Sequence, residues 1–174
     1  MMKKTQKVLG AAVAMLLFTA NVNAQATATA NASATIVSPI SISKTTDMNF
    51  GNISVDASGG IVILEASAAG NRGAAGAGGV SFPSNTGIVS AATFVVSGQP
   101  NFAYSINIVN NSILISNGNA DMTVDNFTKN ILTGLLDNLG TQTVYVGADL
   151  TVNGSQEPGV YTSTSPFTVI VDYN

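Results

Sequence analysis

Apolar side chains recur at every second position through much of the sequence, and Gly, Asn and Pro separate these alternating stretches. Alternation with a period of two is typical of β-strands that bury one face. The clearest stretch lies near the end of the sequence, and its apolar or aromatic positions are Phe167, Val169, Val171 and Tyr173. About ten to twelve short stretches of this kind predict an all-β fold, either a sandwich or a barrel.

Short polar segments between the apolar stretches predict where the chain turns. Residues 97–101 separate alternating positions around Phe94 and Ile106, which predicts a hairpin with a loop of about four or five residues. Asn-Gly pairs at residues 117–118 and 153–154 predict two further turns, because both residue types tolerate positive φ.

Two segments depart from the strand pattern. Residues 70–79 consist mainly of Gly and Ala, which predicts an exposed flexible loop. No Lys follows this loop and no helical pattern starts after it, so a phosphate-binding loop is disfavoured. Four leucines in residues 129–139 are spaced as they would be on one face of a helix. This spacing predicts a short helix over one end of the sheets. The four leucines are Leu132, Leu135, Leu136 and Leu139.

Residues 1–24 have the composition of a secretory signal peptide. Three lysines precede an uncharged, largely apolar run at residues 8–20, and small side chains at Val22 and Ala24 suit a cleavage site. The run is shorter than the ~20 apolar residues that a membrane-spanning helix needs. We therefore expect export, with residues 25–33 as a flexible N-terminal extension and residues 34–174 as the β-sandwich domain.

Removal of this segment changes the charge balance. Residues 25–174 contain three basic and nine acidic side chains, which gives a net charge of −6 and disfavours nucleic acid and anionic membranes as partners. The sequence contains no Cys, so an exported domain of this size would depend on its hydrophobic core rather than on disulfides. A lysine-led signal together with a Cys-free exported domain is typical of a bacterial protein.

Few side chains suited to catalysis occur. The sequence has neither His nor Cys, so the usual general base and the thiolate nucleophile are missing. Ser43 and Lys44 are adjacent, but Lys44 is interpreted as a solvated charge at a strand end. Asp121 and Asp125 would share a strand face about 13 Å apart, which exceeds the separation that glycoside hydrolysis uses. The prediction is a protein without enzymatic activity.

Calcium is the metal that suits a site made only of oxygen ligands. Asp121, Asp125 and neighbouring Asn carbonyls could contribute, but their spacing is not that of an EF-hand loop. Asp and Asn also serve turns, which is the favoured interpretation here. Neither a cofactor nor a metal site is predicted.

Ten short stretches, in order along residues 34–174, resemble the bacterial secreted family known as domain of unknown function 4402. They are residues 34–37, 39–42, 48–53, 78–80, 94–98, 104–106, 122–124, 146–152, 159–162 and 167–174. The layout of that family is similar to spore-coat-U-like and chaperone–usher pilin domains. The resemblance implies an immunoglobulin-like, pilin-like antiparallel β-sandwich, although pilins commonly carry a disulfide and this chain has no Cys.

The resemblance also implies a way of binding partners. In pilins the last strand carries alternating apolar residues and a penultimate Tyr, which a periplasmic chaperone recognises by strand addition. Phe167, Val169, Val171 and Tyr173 match this description, and an extension at residues 25–34 stands where pilins carry the segment that completes the next subunit. By its pattern alone, however, the last strand is interpreted as an internal strand of a complete sandwich, and an edge strand is the alternative.

These observations predict a secreted, non-enzymatic structural or surface-assembly subunit that pairs by β-strand addition. The expected partner is a second copy or a periplasmic chaperone, and the expected location is the periplasm, the cell surface or the medium. A self-contained secreted adhesin or glycan-binding module is the alternative, and a hydrolase is the second alternative.

Overall fold

A computed structural model describes residues 25–76 and 78–174 of the chain. The predicted signal peptide, residues 1–24, lies outside these ranges. Within them, no helix has both the length and the apolar character needed to cross a membrane. The chain divides into two units, of which the second, Ile36–Asn174, contains all the strands of the described residues. Residues 25–35 of the first unit are exposed and form no strand.

Fifteen strands occur in the described part of the chain, and no helix does. They are β1 (Ser41–Thr46), β2 (Asn49–Phe50), β3 (Ser54–Val55), β4 (Gly60–Leu64), β5 (Arg72–Ala75), β6 (Val80–Ser81), β7 (Val89–Ser90), β8 (Ala92–Ser97), β9 (Ala103–Ile108), β10 (Ser112–Ser116), β11 (Asp121–Lys129), β12 (Gly134–Leu135), β13 (Thr141–Val152), β14 (Thr162–Ser163) and β15 (Val169–Tyr173).

The strands form antiparallel sheets in a sandwich-like arrangement, which confirms the predicted fold class. The largest sheet has the order β1-β8-β13-β11-β10-β14, with β4 paired to β13 and β5 paired to β4. A second sheet has the order β12-β9-β15, and two small ribbons pair β2 with β7 and β3 with β6. Every described pair is antiparallel.

The long strand β13 connects two hydrophobic cores. Its first half pairs with β8, and its second half pairs with β4. Every second residue of this strand faces inward and is buried, as expected of a strand that has one face in a core. These residues are Val144, Val146, Ala148, Leu150 and Val152. The first two belong to a core beneath the β12-β9-β15 sheet, and the other three belong to a second core shared with β4, β10 and β11.

A bulge in β11 allows that strand to contribute to both cores. Met122 and Val124 face inward, and the pairing with β13 then shifts between Asp125 and Thr128, with Asn126 at φ 46°. The extra residue reverses the alternation, so that Phe127 also packs inward. Without this bulge Phe127 would lie on the outer face of the sheet, on the same side as Asp125.

The predicted hairpin around residues 97–101 is wrong, although both of its strands exist. β8 pairs with β1 and β13, whereas β9 pairs with β12 and β15, so the two strands belong to different sheets. Asn101 adopts φ 61° in the connection, and its amide donates to the carbonyls of Leu136 and Asp137. The segment therefore carries the chain from one layer of the sandwich to the other.

The two Asn-Gly turns are confirmed. Gly118 has φ 94° between β10 and β11, and the amide of Asn117 donates to the carbonyl of Ala120. At the second turn the amide of Gln156 donates to the carbonyl of Asn153.

The predicted loop at residues 70–79 is a strand over part of its length. Arg72–Ala75 forms β5 and pairs with β4. The Arg72 guanidinium donates to the carbonyls of Phe50 and Thr86 and lies 4.3 Å from the ring centre of Phe82. Burial lowers the pKa of Arg72 from its usual value. These contacts hold in place a segment whose small side chains predict mobility.

The predicted helix at residues 129–139 is wrong. β11 continues to Lys129, and Gly134–Leu135 then forms β12 against β9. Of the four leucines at helical spacing, Leu136 alone is buried, at 0 % exposure, while the other three are exposed. Tertiary packing has overridden a weak helical pattern that contained a Gly.

Tyr104 is buried in the first core, and its hydroxyl donates to Gln142 Oε1 at 2.8 Å. Burial raises the pKa of Tyr104 to about 12. In the unfolded chain a Tyr ionises near pH ~10, so above that pH the unfolded state loses a proton that the folded state keeps. Stability should therefore fall as the pH rises from about 10 towards 12.

Urea unfolding at about pH 8 and about pH 11 measures this effect in the wild-type chain and in Tyr104→Phe. We expect the variant to be less stable at the lower pH, since it lacks the bond to Gln142, but to lose less stability on going to the higher pH. Equal losses of stability in the two proteins would show that ionisation of Tyr104 is not the cause.

Candidate partner-binding edge

β15 lies at the edge of the three-stranded sheet. It pairs with β9 from Val169, opposite Ile108, to Tyr173, opposite Tyr104. No strand within residues 25–76 and 78–174 pairs with its other side. The last apolar stretch is therefore an edge strand, so the internal strand that its pattern alone favoured is wrong.

Hydrogen bonds at both ends of β15 define which backbone groups face the open side. The amide of Val109 donates to the carbonyl of Thr168, and the amide of Asn174 donates to the carbonyl of Ala103. Backbone groups of successive strand residues alternate in direction. Residues 168, 170, 172 and 174 therefore direct their backbone towards β9. Residues 169, 171 and 173 direct theirs towards the open edge.

The side chains of Val169, Val171 and Tyr173 face inward and are half-buried in the first core. Ile170 and Asp172 face outward and are exposed. The alternation predicted for this strand is confirmed. The residues that anchor the strand to the core are thus the ones whose backbone N–H and C=O groups are at the open edge.

Tyr173 anchors one end of the strand through its hydroxyl group. This hydroxyl donates to the carbonyl of Ser38 at 2.8 Å and accepts from the amide of Gln99 at 2.6 Å. Its ring packs edge-on against Phe102, with ring centres 5.7 Å apart. Tyr173 therefore links β15 to the segment that precedes β1 and to the connection that follows β8.

Phe167 lies just before β15 and anchors its other end. Its ring centre is 4.9 Å from that of Phe127 and 6.2 Å from that of Phe94. Phe167 packs against both cores, whereas Val169, Val171 and Tyr173 contact only the first.

β1 is the corresponding edge of the large sheet, since β8 is its one partner among the described strands. The Tyr173–Ser38 bond places the start of this edge beside the end of β15. Ile40 and Ile42 pack against the same core as Val169 and Val171. Two edge strands from opposite layers therefore border one side of the sandwich.

The charged side chains that were considered as catalytic or metal-binding candidates do not form a common site. Lys44 forms an exposed ion pair with Asp47 at 2.5 Å, in agreement with its interpretation as a surface charge. Asp125 lies opposite Asp149, not beside Asp121, and Asn126 donates to Asp149 Oδ2. Among the residues that the structure describes, no group of three or more acidic side chains is placed to hold a metal ion.

Sequence reasoning missed the residues that hold Tyr173. Ser38 and Gln99 contribute only a backbone carbonyl and a backbone amide to its hydroxyl. No side-chain pattern marks such partners, because any residue type could supply these atoms. The penultimate Tyr was the only signal available in the sequence.

Comparison with known proteins gives one finding. The family model described as Domain of unknown function (DUF4402) matches residues 40–173. No curated protein matches the chain, and no solved structure does.

Proposed function

Because the chain belongs to the DUF4402 family, to which no activity is assigned, we propose its function from the site: it is a secreted, non-enzymatic structural or surface-assembly subunit. It binds its partner by adding a strand to the open edge of β15. The observation that carries the proposal is this edge, where the backbone groups of Val169, Val171 and Tyr173 face no other described strand. The signal-like residues 1–24 support export to the periplasm, the cell surface or the medium.

An unpaired edge strand is a liability in a protein that stays monomeric. Natural proteins protect such edges with charges, prolines or covering segments. Along β15 the one charged residue is Asp172, and Pro166 precedes the strand rather than interrupting it. An edge with so little protection suits recognition by strand addition, in which backbone hydrogen bonds supply the affinity.

The occupant that we propose is the segment 25–34 of a second copy, with a periplasmic chaperone as the partner before assembly. This segment is exposed and forms no strand, so its backbone groups are available for pairing. Ala alternates there with Thr, Asn and Ser, and small side chains would fit beside the half-buried residues of β15. Ten extended residues reach about 33 Å, which exceeds the length of this five-residue strand.

Replacement of Val171 tests the edge, because its amide faces the open side and not β9. Val171→Pro removes this N–H, and Val171→Ala loses most of the same side chain but keeps the N–H. Pro is tolerated in edge strands where the N–H faces away from the sheet, so both variants should fold. We expect SDS-resistant oligomers of the wild-type chain and of Val171→Ala, and only monomers of Val171→Pro.

Deletion of residues 25–34 tests the occupant. If this segment supplies the added strand, the truncated chain should also be monomeric in light scattering and on gels. Oligomers that survive the deletion but not Val171→Pro would place the added strand elsewhere in the chain. A wild-type chain that is only monomeric, or equal assembly of the two Val171 variants, would contradict the proposed function.

A further inference from the structure

The two Asn-Gly turns differ in how firmly the structure holds the asparagine. An Asn side-chain amide is chemically labile, above all before Gly, because glycine has no Cβ to keep its nitrogen away from the preceding side chain. The first step of the reaction requires that nitrogen to reach Cγ of the Asn, so any bond that fixes either group slows the step. The dipeptides at residues 117–118 and 153–154 are identical, and only their surroundings can distinguish them.

The half-buried side chain of Asn117 is bonded through both atoms of its amide. Its Oδ1 accepts from the amides of Asn119 at 2.9 Å and Ala120 at 2.8 Å. Its Nδ2 donates to the Tyr161 hydroxyl at 3.2 Å. Rotation of this side chain towards the following nitrogen would break three hydrogen bonds.

The nitrogen that would attack is also held in the first turn and not in the second. The amide of Gly118 donates to Ser116 Oγ at 3.1 Å. In the part of the chain that the structure describes, the amide of Gly154 donates to no acceptor. The second turn therefore leaves its nucleophile free of a bond that the first turn would have to break.

The side chain of Asn153 is held far less than that of Asn117. Asn153 and Gly154 are both exposed. Within residues 25–76 and 78–174, the one side-chain hydrogen bond of Asn153 runs from Nδ2 to Gln156 Oε1 at 3.1 Å. Loss of this single exposed bond lets the side chain rotate, and exposure gives water and solvent base access to the turn.

From this difference we propose that Asn153 is a site of spontaneous deamidation in the folded protein, and that the fold protects Asn117 from the same reaction. The Gly154 nitrogen gives its proton to solvent base and attacks Cγ of Asn153. The bond from Cγ to Nδ2 then breaks, ammonia leaves with a proton from solvent, and a succinimide ring remains. Water opens this ring at Cγ to give aspartate, or at the main-chain carbonyl to give isoaspartate.

The isoaspartyl product would disturb the contact between this turn and the loop before β4. Gly154 packs so closely on this loop that a methyl group on its Cα would overlap the carbonyl oxygen of Ala57. The amide of Ser155 donates to the carbonyl of Asp56 at 2.8 Å. Isoaspartate carries the main chain through Cβ and Cγ and adds one backbone atom before Gly154. The turn then cannot keep both contacts, and the adjoining end of the β4–β13 pair loosens.

Rates in the folded and the unfolded chain test the site. The full chain is incubated at mildly alkaline pH with and without urea, and peptide mass spectrometry follows the conversion of each Asn. In urea the two Asn-Gly pairs should react at similar rates, since their dipeptides are identical. In the folded chain we expect Asn153 to react at least about tenfold faster than Asn117, because of the bonds that Asn117 must break.

Asn153→Gln is the matched control, since it keeps the side-chain amide but requires a larger ring that closes slowly. We expect the folded variant to show no conversion at this position. Equal rates at Asn153 and Asn117 in the folded chain, or no conversion of Asn153 there, would overturn the proposal. None of these residues belongs to β15, so the result does not depend on the proposed assembly function.

Asn153→Asp separates the effect of the extra backbone atom from that of the new charge. This variant carries the carboxylate of the deamidated chain but keeps the normal main chain. The isoaspartyl form, purified from the aged chain by chromatography, should unfold at a lower urea concentration than Asn153→Asp, which should stay close to the wild-type chain. Equal midpoints of the isoaspartyl form and Asn153→Asp would overturn the proposed loosening of the turn.

Discussion

Gly134→Ala should lower the free energy of unfolding by about 3 kcal/mol or more, because a methyl group at this position would overlap the ring of Tyr104. The ring cannot move aside easily, since Tyr104 is 0 % exposed and its hydroxyl is bonded to Gln142. For a domain of this size we expect a loss of roughly 6–12 °C in melting temperature. The cause is packing rather than backbone conformation, as Gly134 has no positive φ.

Gly73→Ala is the matched control for this effect. Gly73 also lies in a strand without positive φ, and a methyl group there would meet nothing within 4 Å. We expect a change within about 0.5 kcal/mol. Tyr104→Leu combined with Gly134→Ala should cost less than the sum of the two single changes, since the smaller side chain makes room for the methyl group. Additive losses would contradict a direct clash.

Leu136→Ala should cost about 3–5 kcal/mol, in the upper part of the range for buried leucines. Leu136 is 0 % exposed in the first core, and its amide and carbonyl are bonded to Phe102 and Asn101. These bonds fix the backbone beside the side chain, so the surroundings would relax little around the space left by the truncation.

Leu132→Ala and Leu139→Ala distinguish this structure from the predicted helix. An amphipathic helix would bury all three leucines and make the three truncations similarly costly. Leu132 is instead 88 % exposed and Leu139 is 79 % exposed, so these changes should stay within about 0.5 kcal/mol. Chemical denaturation of the three variants measures the contrast, and three comparable losses would favour the helix.

The composition of the chain is consistent with recognition through the backbone. Residues 25–174 contain few charges, no His and no Cys, and their small and β-branched side chains suit strands better than catalysis. The groups that we assign to recognition at β15 are amides and carbonyls. Binding through them requires an edge to be free, and does not require a reactive side chain.

Only part of the candidate edge could be predicted from the sequence. The alternation of Phe167, Val169, Val171 and Tyr173 identified a strand and its inward face, because alternation is a local property. Whether that strand is internal or at an edge depends on which other strands lie beside it. Nothing in those residues carries that information.

The sequence by itself determined the all-β class, the turns at the two Asn-Gly pairs and the inward face of β15, since each follows from residues close together in the chain. Only the tertiary structure decided that β8 and β9 separate into two sheets, that residues 72–75 form a strand and that Leu136 alone of four leucines is buried. These outcomes depend on contacts between distant residues, such as Gly134 with Tyr104 and Arg72 with Phe50. Such contacts depend on shape and register across the whole domain, and therefore override weak local preferences.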